Sequence, residues 1–497
     1  MFLRSLLQVV AITPLILLGH NYAAGEASAN GLLFDPICKQ ISRGTSAATS
    51  VHYPGDLQYF EDISHWASSS AQRAMCTVRP ATAADVGTIL RILGSNRTPF
   101  AVKGGGHASN PGFSSTAGVL IAMSRFSEVT YGAASETVVV GAGLIWDDVY
   151  AALAPHNRNV VGGRVTGVGV AGFILGGGGY SWLTNQYGLT IDTVTAFELV
   201  KPDGVIVNVT EASDPDLFFG LKGGYNNFGI VTRFTLRTFP QGRVWGGLTT
   251  YLFTKIADVT AATARFSASV TDPKASIISM YNTLFGVPGI FVLMFYDGLE
   301  PPEGIFDDFL KIPHLTSDVS SRDFVSLVKA APANFTYGRR AVFNTVSIEN
   351  YTPTLLEAIH NETVFWGTRL ALKSGFFITC DVEPFLPTIL SHASSSSSAY
   401  PATRSTRFSP FHLYFAWTLS VFDADFHEAA RQSAARIKEL AVREGQKVAD
   451  APTYPNLAIY DTPLEAMYGT DNVAKLKALK NKVDPENVMG LAGGFKF

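Results

Sequence analysis

The glycines of this chain are clustered, and the clusters restrict the folds open to it more than any other feature of the sequence. Three carry the argument: Lys103-Gly104-Gly105-Gly106-His107; the stretch from Gly162 to Tyr180, with Gly167, Gly169, Gly172 and the run Gly176-Gly177-Gly178-Gly179; and Lys222-Gly223-Gly224-Tyr225-Asn226-Asn227-Phe228-Gly229-Ile230. Glycine runs do not propagate a helix, so each cluster marks a turn or a close approach of backbone to something else. Bare N–H groups at such places can reach a phosphate. A plain tight turn is the simpler reading of any one cluster, but their recurrence favours one shared ligand. Gly167, Gly169 and Gly172 form a G-x-G-x-x-G, and Asp192 stands about 20 residues on, as in a dinucleotide-binding fingerprint. That fingerprint needs a helix to begin at the glycines. The four glycines from Gly176 are expected to forbid one, which leaves a cradle along an extended, pyrophosphate-bearing ligand.

The rest of the composition narrows the class. With 497 residues, 47% hydrophobic and 16% charged, against roughly 25% charged in ordinary globular proteins, the chain has ample core material. It is expected to form two domains, or one domain with a large insert. A net charge of −3 and the lack of any Lys/Arg-rich run give no electrostatic footprint for nucleic acid or an anionic membrane. The first 29 residues read as a signal peptide: Arg4, an apolar core Leu6–Leu18, and small residues ending in Ala27-Ser28-Ala29. The core is too short for a span, so a secreted or secretory-lumen protein with no membrane attachment is expected. In that oxidising compartment Cys38 and Cys76 could pair, leaving Cys380 free. Sequons at Asn96, Asn208, Asn334, Asn350 and Asn361 suggest a glycoprotein. The ten histidines form no metal-ligand spacing, so no metal is expected.

From Ala74 to Pro240 short β-rich runs alternate irregularly with helical pieces. Thr82 caps a helix over Ala83–Leu93, and strands are expected at Phe100–Lys103, Val119–Met123, Thr137–Val140, Phe197–Val200, Val205–Val209 and Ile230–Leu236, with a helix at Ile145–Leu153. This is an α+β pattern, not a regular doubly wound sheet. Beyond Pro240 glycine thins, and longer strands (Ala275–Tyr281, Gly289–Tyr296, Phe411–Leu419) alternate with helices, which predicts an antiparallel sheet with helices on one face. Ser394–Ser398 reads as a flexible surface loop. A last helix begins near Thr470 or Asp471 and stops at Asp484-Pro485.

Gly104-Gly105-Gly106-His107, the block Val168–Tyr180, Tyr187-Gly188-Leu189 with Asp192, Asp214-Pro215-Asp216-Leu217 with Gly223-Gly224, and the closing Asp484-Pro485-Glu486-Asn487-Val488 together resemble the FAD-linked oxidases of the vanillyl-alcohol oxidase and para-cresol methylhydroxylase (PCMH) type. Within these the chain is most similar to secreted fungal berberine-bridge-enzyme-like proteins. The resemblance runs from about Cys38 to Phe497. It implies a signal peptide over 1–29, an N-terminal segment over 30–73, a PCMH-type FAD-binding domain of two α+β subdomains over 74–240, an inserted substrate-binding domain over 241–450, and a segment over 451–497 that returns to the FAD domain. FAD contacts are implied at Gly104, Gly105, Gly106, Val165, Val168, Gly169, Gly172, Gly176, Gly177, Gly178, Ile230 and Asn487. His107 falls where relatives attach a ring nitrogen to the flavin 8α-methyl group.

Two departures qualify the resemblance. Bicovalent relatives carry a second link from a cysteine three residues before the valine of V-G-V-G-G; that position is Val165, so at most one covalent link is expected. Val168 falls at the position that in relatives gates oxygen access to the ring, and its size resembles that of the oxygen-reactive members. A Tyr-x-Asn-Tyr segment near the C-terminus reads Tyr454-Pro455-Asn456-Leu457, which leaves Tyr180, Tyr454 and Asn456 as catalytic candidates, with Tyr460, His412 and Tyr414 behind them. A phenol serves as base only if its pKa of about 10 is lowered; otherwise each is a packed aromatic. The resemblance implies an oxidase that takes hydride from a small organic substrate and passes electrons to O2, giving H2O2, in secondary metabolism. Carbohydrate oxidation, disfavoured by Val165, and a pericyclase holding its flavin structurally are the alternatives.

Overall fold

The computed structural model describes residues 27–394, 396–405 and 408–497. The signal-peptide reading falls largely on residues 1–26, outside them. A helix over Ala27–Gly44 is fastened to the first sheet by a Cys38–Cys76 disulfide; Cys380 is buried and free. No helix among the described residues is long and apolar enough to cross a membrane.

Three sheets organise the chain, and the mixed α+β architecture matches the expectation. The first, in the order Ser50–His52, Cys76–Arg79, Val119–Ala122, Phe100–Lys103, is parallel across its last three strands. Helix Ala83–Ser95 packs beside it, opened by a capping box in which Thr82 accepts from the Asp85 N–H and Asp85 from the Thr82 N–H. Val86, Ile89, Leu90 and Leu93 form its buried face. The second sheet is antiparallel: Val129–Gly132, Thr137–Gly141, Ile230–Arg237, Val194–Val200, Ile206–Val209. The third has seven antiparallel strands in the order His314–Arg322, Val244–Tyr251, Val287–Tyr296, Ala275–Leu284, Gly375–Val382, Ser409–Trp417, Arg340–Ile348.

Strand alternation gives the seven-stranded sheet two faces. Helices Ile256–Ser269, Pro353–Ala371 and Asp423–Arg443 cover one of them. Ser279 points there, 2.8 Å from the hydroxyl of Thr263, and its neighbours Ile278 and Met280 point to the other face, into a cavity. One register row crosses all the strands: Thr316, Thr250, Phe291, Met280, Asp381, His412, Thr345. All but Thr345 line the cavity.

Three local expectations need correction. A six-residue helix, Val170–Leu175, does begin after Gly169 and ends at Gly176; the glycine run stops its extension without preventing its start. The dinucleotide reading fails on other grounds, because Gly169 makes only an antiparallel bridge to Ile145 and the next strand lies in an antiparallel sheet. The serine loop is exposed at Ser394 and Ser396, but Ser398, Ala399 and Tyr400 are fully buried, with Ala399 N–H donating to the carbonyls of Phe219 and Lys222. Asp192, instead of meeting a ribose, makes a buried ion pair with Arg404 at 2.7 Å and pins this segment. The C-terminal helical stretch begins earlier, at Leu464, and is broken at Gly469 (φ 70°) before the expected helix.

Candidate active site

A cavity of about 760 Å³ lies between the glycine clusters and the seven-stranded sheet. On the glycine side, Gly104–His107 and Val165–Gly172 cross each other. A Cβ on Gly105 would stand 2.6 Å from the Cα of Gly169, and one on Gly169 would stand 2.6 Å from the Gly105 nitrogen. Only two bare backbones pass this closely. Of the expected cofactor contacts, Gly104, Gly105, Gly106, His107, Val165, Val168, Gly169, Gly172 and Ile230 line the cavity. The third cluster contributes Tyr225, Asn226 and Gly229 as well.

The other expected contacts lie elsewhere. Gly176, Gly177 and Gly178 are absent from the lining; Gly177 packs against Tyr400 and Pro455, Gly176 against Asn456, and Gly223 against the Gly177 Cα. This half of the second cluster brings protein backbone onto protein. Asn487 accepts a hydrogen bond from Lys480 in the turn that closes the last helix, also away from the cavity.

His107 is partly buried and stacked on Trp66, ring centroids 4.4 Å apart. Burial lowers its pKa to about 4, so the ring is neutral at physiological pH. Its Nε2 is buried with no hydrogen-bond partner. A neutral imidazole with an uncommitted nitrogen, beside a backbone cradle that side chains would fill, fits a flavin.

Among the tyrosines, Tyr454 and Tyr414 line the cavity; Tyr180 does not. Tyr180 is fully buried, edge-on to Tyr454, with its hydroxyl 3.4 Å from that of Tyr400. Burial raises its pKa to about 12 and pushes those of Tyr454 and Tyr414 up as well, the wrong direction for a base. Asn456 donates to the Tyr454 hydroxyl at 3.0 Å and to the carbonyl of Phe173 at 2.8 Å, which orients the phenol. Tyr460 is 45% exposed and bonds to Arg431, outside the site. Of the aromatic strand residues, Phe291 and Tyr414 face the cavity, whereas Phe295, Tyr296, Phe411, Phe415 and Trp417 do not.

The polar centre of the cavity was not anticipated as a group. Asp381 accepts from the Thr379 hydroxyl at 2.6 Å, and burial raises its pKa to about 6 despite that bond and nearby Arg164. Arg164 forms an ion pair with Glu383, and Glu383 also meets His412 Nδ1 at 3.1 Å. Burial, then the charge of Arg164, holds His412 well below its ordinary pKa. It is therefore neutral: Nδ1–H donates to Glu383, and Nε2, buried and without a protein partner, is left as an acceptor. The sequence signal was faint: Thr379, Asp381 and Glu383 alternate along an otherwise apolar strand. Among the described residues no group of His, Cys, Asp and Glu is arranged to hold a metal ion.

Comparison with known proteins agrees with this geometry. Residues 74–210 match the FAD binding domain family. The FAD-dependent monooxygenase drtC of Aspergillus calidoustus is 31% identical over 504 residues, covering 98% of this chain and 95% of that protein. The structure of Physcomitrella patens BBE-like 1 superposes with a TM-score of 0.75 at 20% identity, over 91% of this chain and 97% of the other. The glucooligosaccharide oxidase of Acremonium strictum, described as carrying a 6-S-cysteinyl, 8α-N1-histidyl FAD, superposes with a TM-score of 0.73 at 19% identity, over the same shares. The glycine cradle, the neutral histidine and these likenesses agree: the chain belongs to the FAD-linked oxidoreductases that include the fungal FAD-dependent monooxygenases, it has the fold of the berberine-bridge-enzyme-like proteins, and its cofactor is FAD.

Proposed function

We propose that the chain is an oxidase of a small, largely apolar organic molecule bearing a hydroxyl, amine or related activated C–H, with O2 as electron acceptor and H2O2 as product. The observation that carries this reading is the cavity lining: a charged cluster, Asp381 with Glu383 and Arg164 and the neutral His412 beside it, next to a wall of Leu248, Ile278, Met280, Phe291 and Leu293. FAD, held by the glycine cradle, would supply the acceptor for the hydride equivalent and the means of passing the electrons to oxygen. Asp381 accepts the substrate proton, since above pH 6 it is ionised yet little solvated. His412 Nε2 accepts a hydrogen bond from a further N–H or O–H of the substrate, distinct from the one whose proton Asp381 takes. Arg164, locked to Glu383, offsets that carboxylate, so the cluster carries one negative charge with Asp381 ionised and none once Asp381 has taken the proton.

The residues of the glycine cradle hold FAD, and His107 is its covalent tether through a ring nitrogen. Val165 leaves no thiol for a second link, which together with the apolar wall argues against a sugar substrate. A secretory setting follows from the disulfide and from the exposure of Asn96, Asn208, Asn334 and Asn361, with Asn350 partly exposed, as glycan acceptors.

The test is to mix holoenzyme with candidate substrates anaerobically, then admit labelled O2. Bleaching of the flavin, one H2O2 per product and no label in the product are expected. Label in the product would make the enzyme a monooxygenase, and product formation without bleaching would make it a pericyclase with a structural flavin.

A further inference from the structure

Beside the cavity lies a cluster of aromatic rings whose features the oxidase reading leaves unexplained. Strands Ala275–Leu284 and Val287–Tyr296 pair Leu284 with Val287, so Phe285 and Gly286 form a two-residue hairpin turn. Both have positive φ, 51° and 82°, the signature of a type I′ turn, where Asn, Asp or Gly is favoured and a bulky aromatic is strained. Core packing does not account for this choice, because Phe285 is 64% exposed. Its ring meets Phe376 edge-on at 5.0 Å; Phe376 lies 5.0 Å from Phe335, and Phe335 lies 6.0 Å from Phe377. Phe335, itself half exposed, lines the cavity together with Phe377. Phe377 leads on to Tyr414 at 6.4 Å, and Tyr414 to Trp66, the ring stacked on His107. A chain of ring contacts therefore runs from exposed Phe285 and half-exposed Phe335, which borders the cavity, to the ring stacked on the proposed flavin tether.

Resting on the oxidase reading, we infer that the substrate is an amphiphile longer than the cavity, whose reacting polar end sits at Asp381 and His412 while its apolar tail runs out along Phe377 and Phe335 to Phe285. The tail replaces water over the rim, which is why an aromatic is retained at a turn position suited to asparagine. Phe285 and Phe335 are accordingly specificity-determining residues and take no part in the chemistry.

The experiment uses holoenzyme and a series of 4-n-alkylphenols from methyl to decyl, with affinity read from the perturbation of the flavin absorbance. In the wild type the affinity should rise about fourfold per methylene, the value for full burial of each CH2, and continue to rise in the long members. Phe285→Asn, which restores a favoured turn residue and so folds, should leave methyl- and ethylphenol affinity unchanged, and both it and Phe335→Ser should flatten the rise in the long members. A wild-type plateau at short chains, variants with the wild-type slope, or no response to any member would each overturn the inference. Failure of the oxidase reading is seen separately, as length-dependent binding with no substrate able to bleach the flavin anaerobically.

Discussion

Asp381→Asn separates the chemistry of the cavity from its cost to folding. The wild-type carboxyl rises from 3.8 to about 6 in the folded chain, chiefly because burial penalises its charge. At about 1.4 kcal/mol per pH unit this amounts to about 3 kcal/mol, an upper value, since the side chain retains some accessibility through the cavity. A raised carboxyl pKa means the folded state binds the proton more tightly than the unfolded state. The penalty is therefore absent below pH 4, grows between pH 4 and 6, and is full above that. Asparagine keeps the shape, can still meet Thr379, and carries no charge. The variant should match the wild type in urea unfolding at pH 4 and exceed it by up to about 3 kcal/mol at pH 8. Over the same range, flavin reduction by substrate should fall about 10²–10⁴-fold, the usual worth of a general base, and the wild-type loss of rate below pH 6 should disappear. A variant that reduces its flavin at the wild-type rate, or whose extra stability is greater at pH 4 than at pH 8, would refute the assignment of Asp381 as a buried base.

Other substitutions test the cradle and the frame. Acid-precipitated wild type should remain yellow, and His107→Ala should release its flavin to the supernatant on the same treatment. Gly105→Ala forces a methyl to 2.6 Å from the Gly169 backbone and should cost about 1–3 kcal/mol in thermal unfolding. Gly172→Ala meets nothing within 4 Å, so it should leave apoprotein stability intact while lowering FAD content, because the methyl enters the cofactor space. Cys38→Ser opens a disulfide spanning 38 residues and should cost about 4 kcal/mol in the absence of reductant, with no loss in its presence.

What could be read in the sequence followed from how local each signal is. The capped helix over Ala83–Ser95 and the glycine approach at Gly104–His107 depend on near neighbours in the chain, and both were legible. At Gly176 and Gly177 a run of glycines announces close approach without saying to what; protein neighbours there are Tyr400, Pro455 and Asn456, more than 200 residues on. The polar centre joins Arg164, Asp381, Glu383 and His412 from separate segments, and only sheet register brings them together. The tyrosines were legible as residues but not as bases, since the burial that raises their pKa is a property of the folded core.

The row that runs from Thr316 to His412 sets how this scaffold can diverge. Each strand contributes one residue to the row, so a substitution on one strand alters one site along a line across the cavity floor and leaves its neighbours in place. A single-residue insertion in any of these strands would turn every following side chain to the opposite face, exchanging cavity for core. New specificities on this floor are therefore reached by exchange of residues at fixed length, and a library confined to Thr316, Thr250, Phe291 and Met280 samples the pocket's width while the reacting end at Asp381 and His412 is kept.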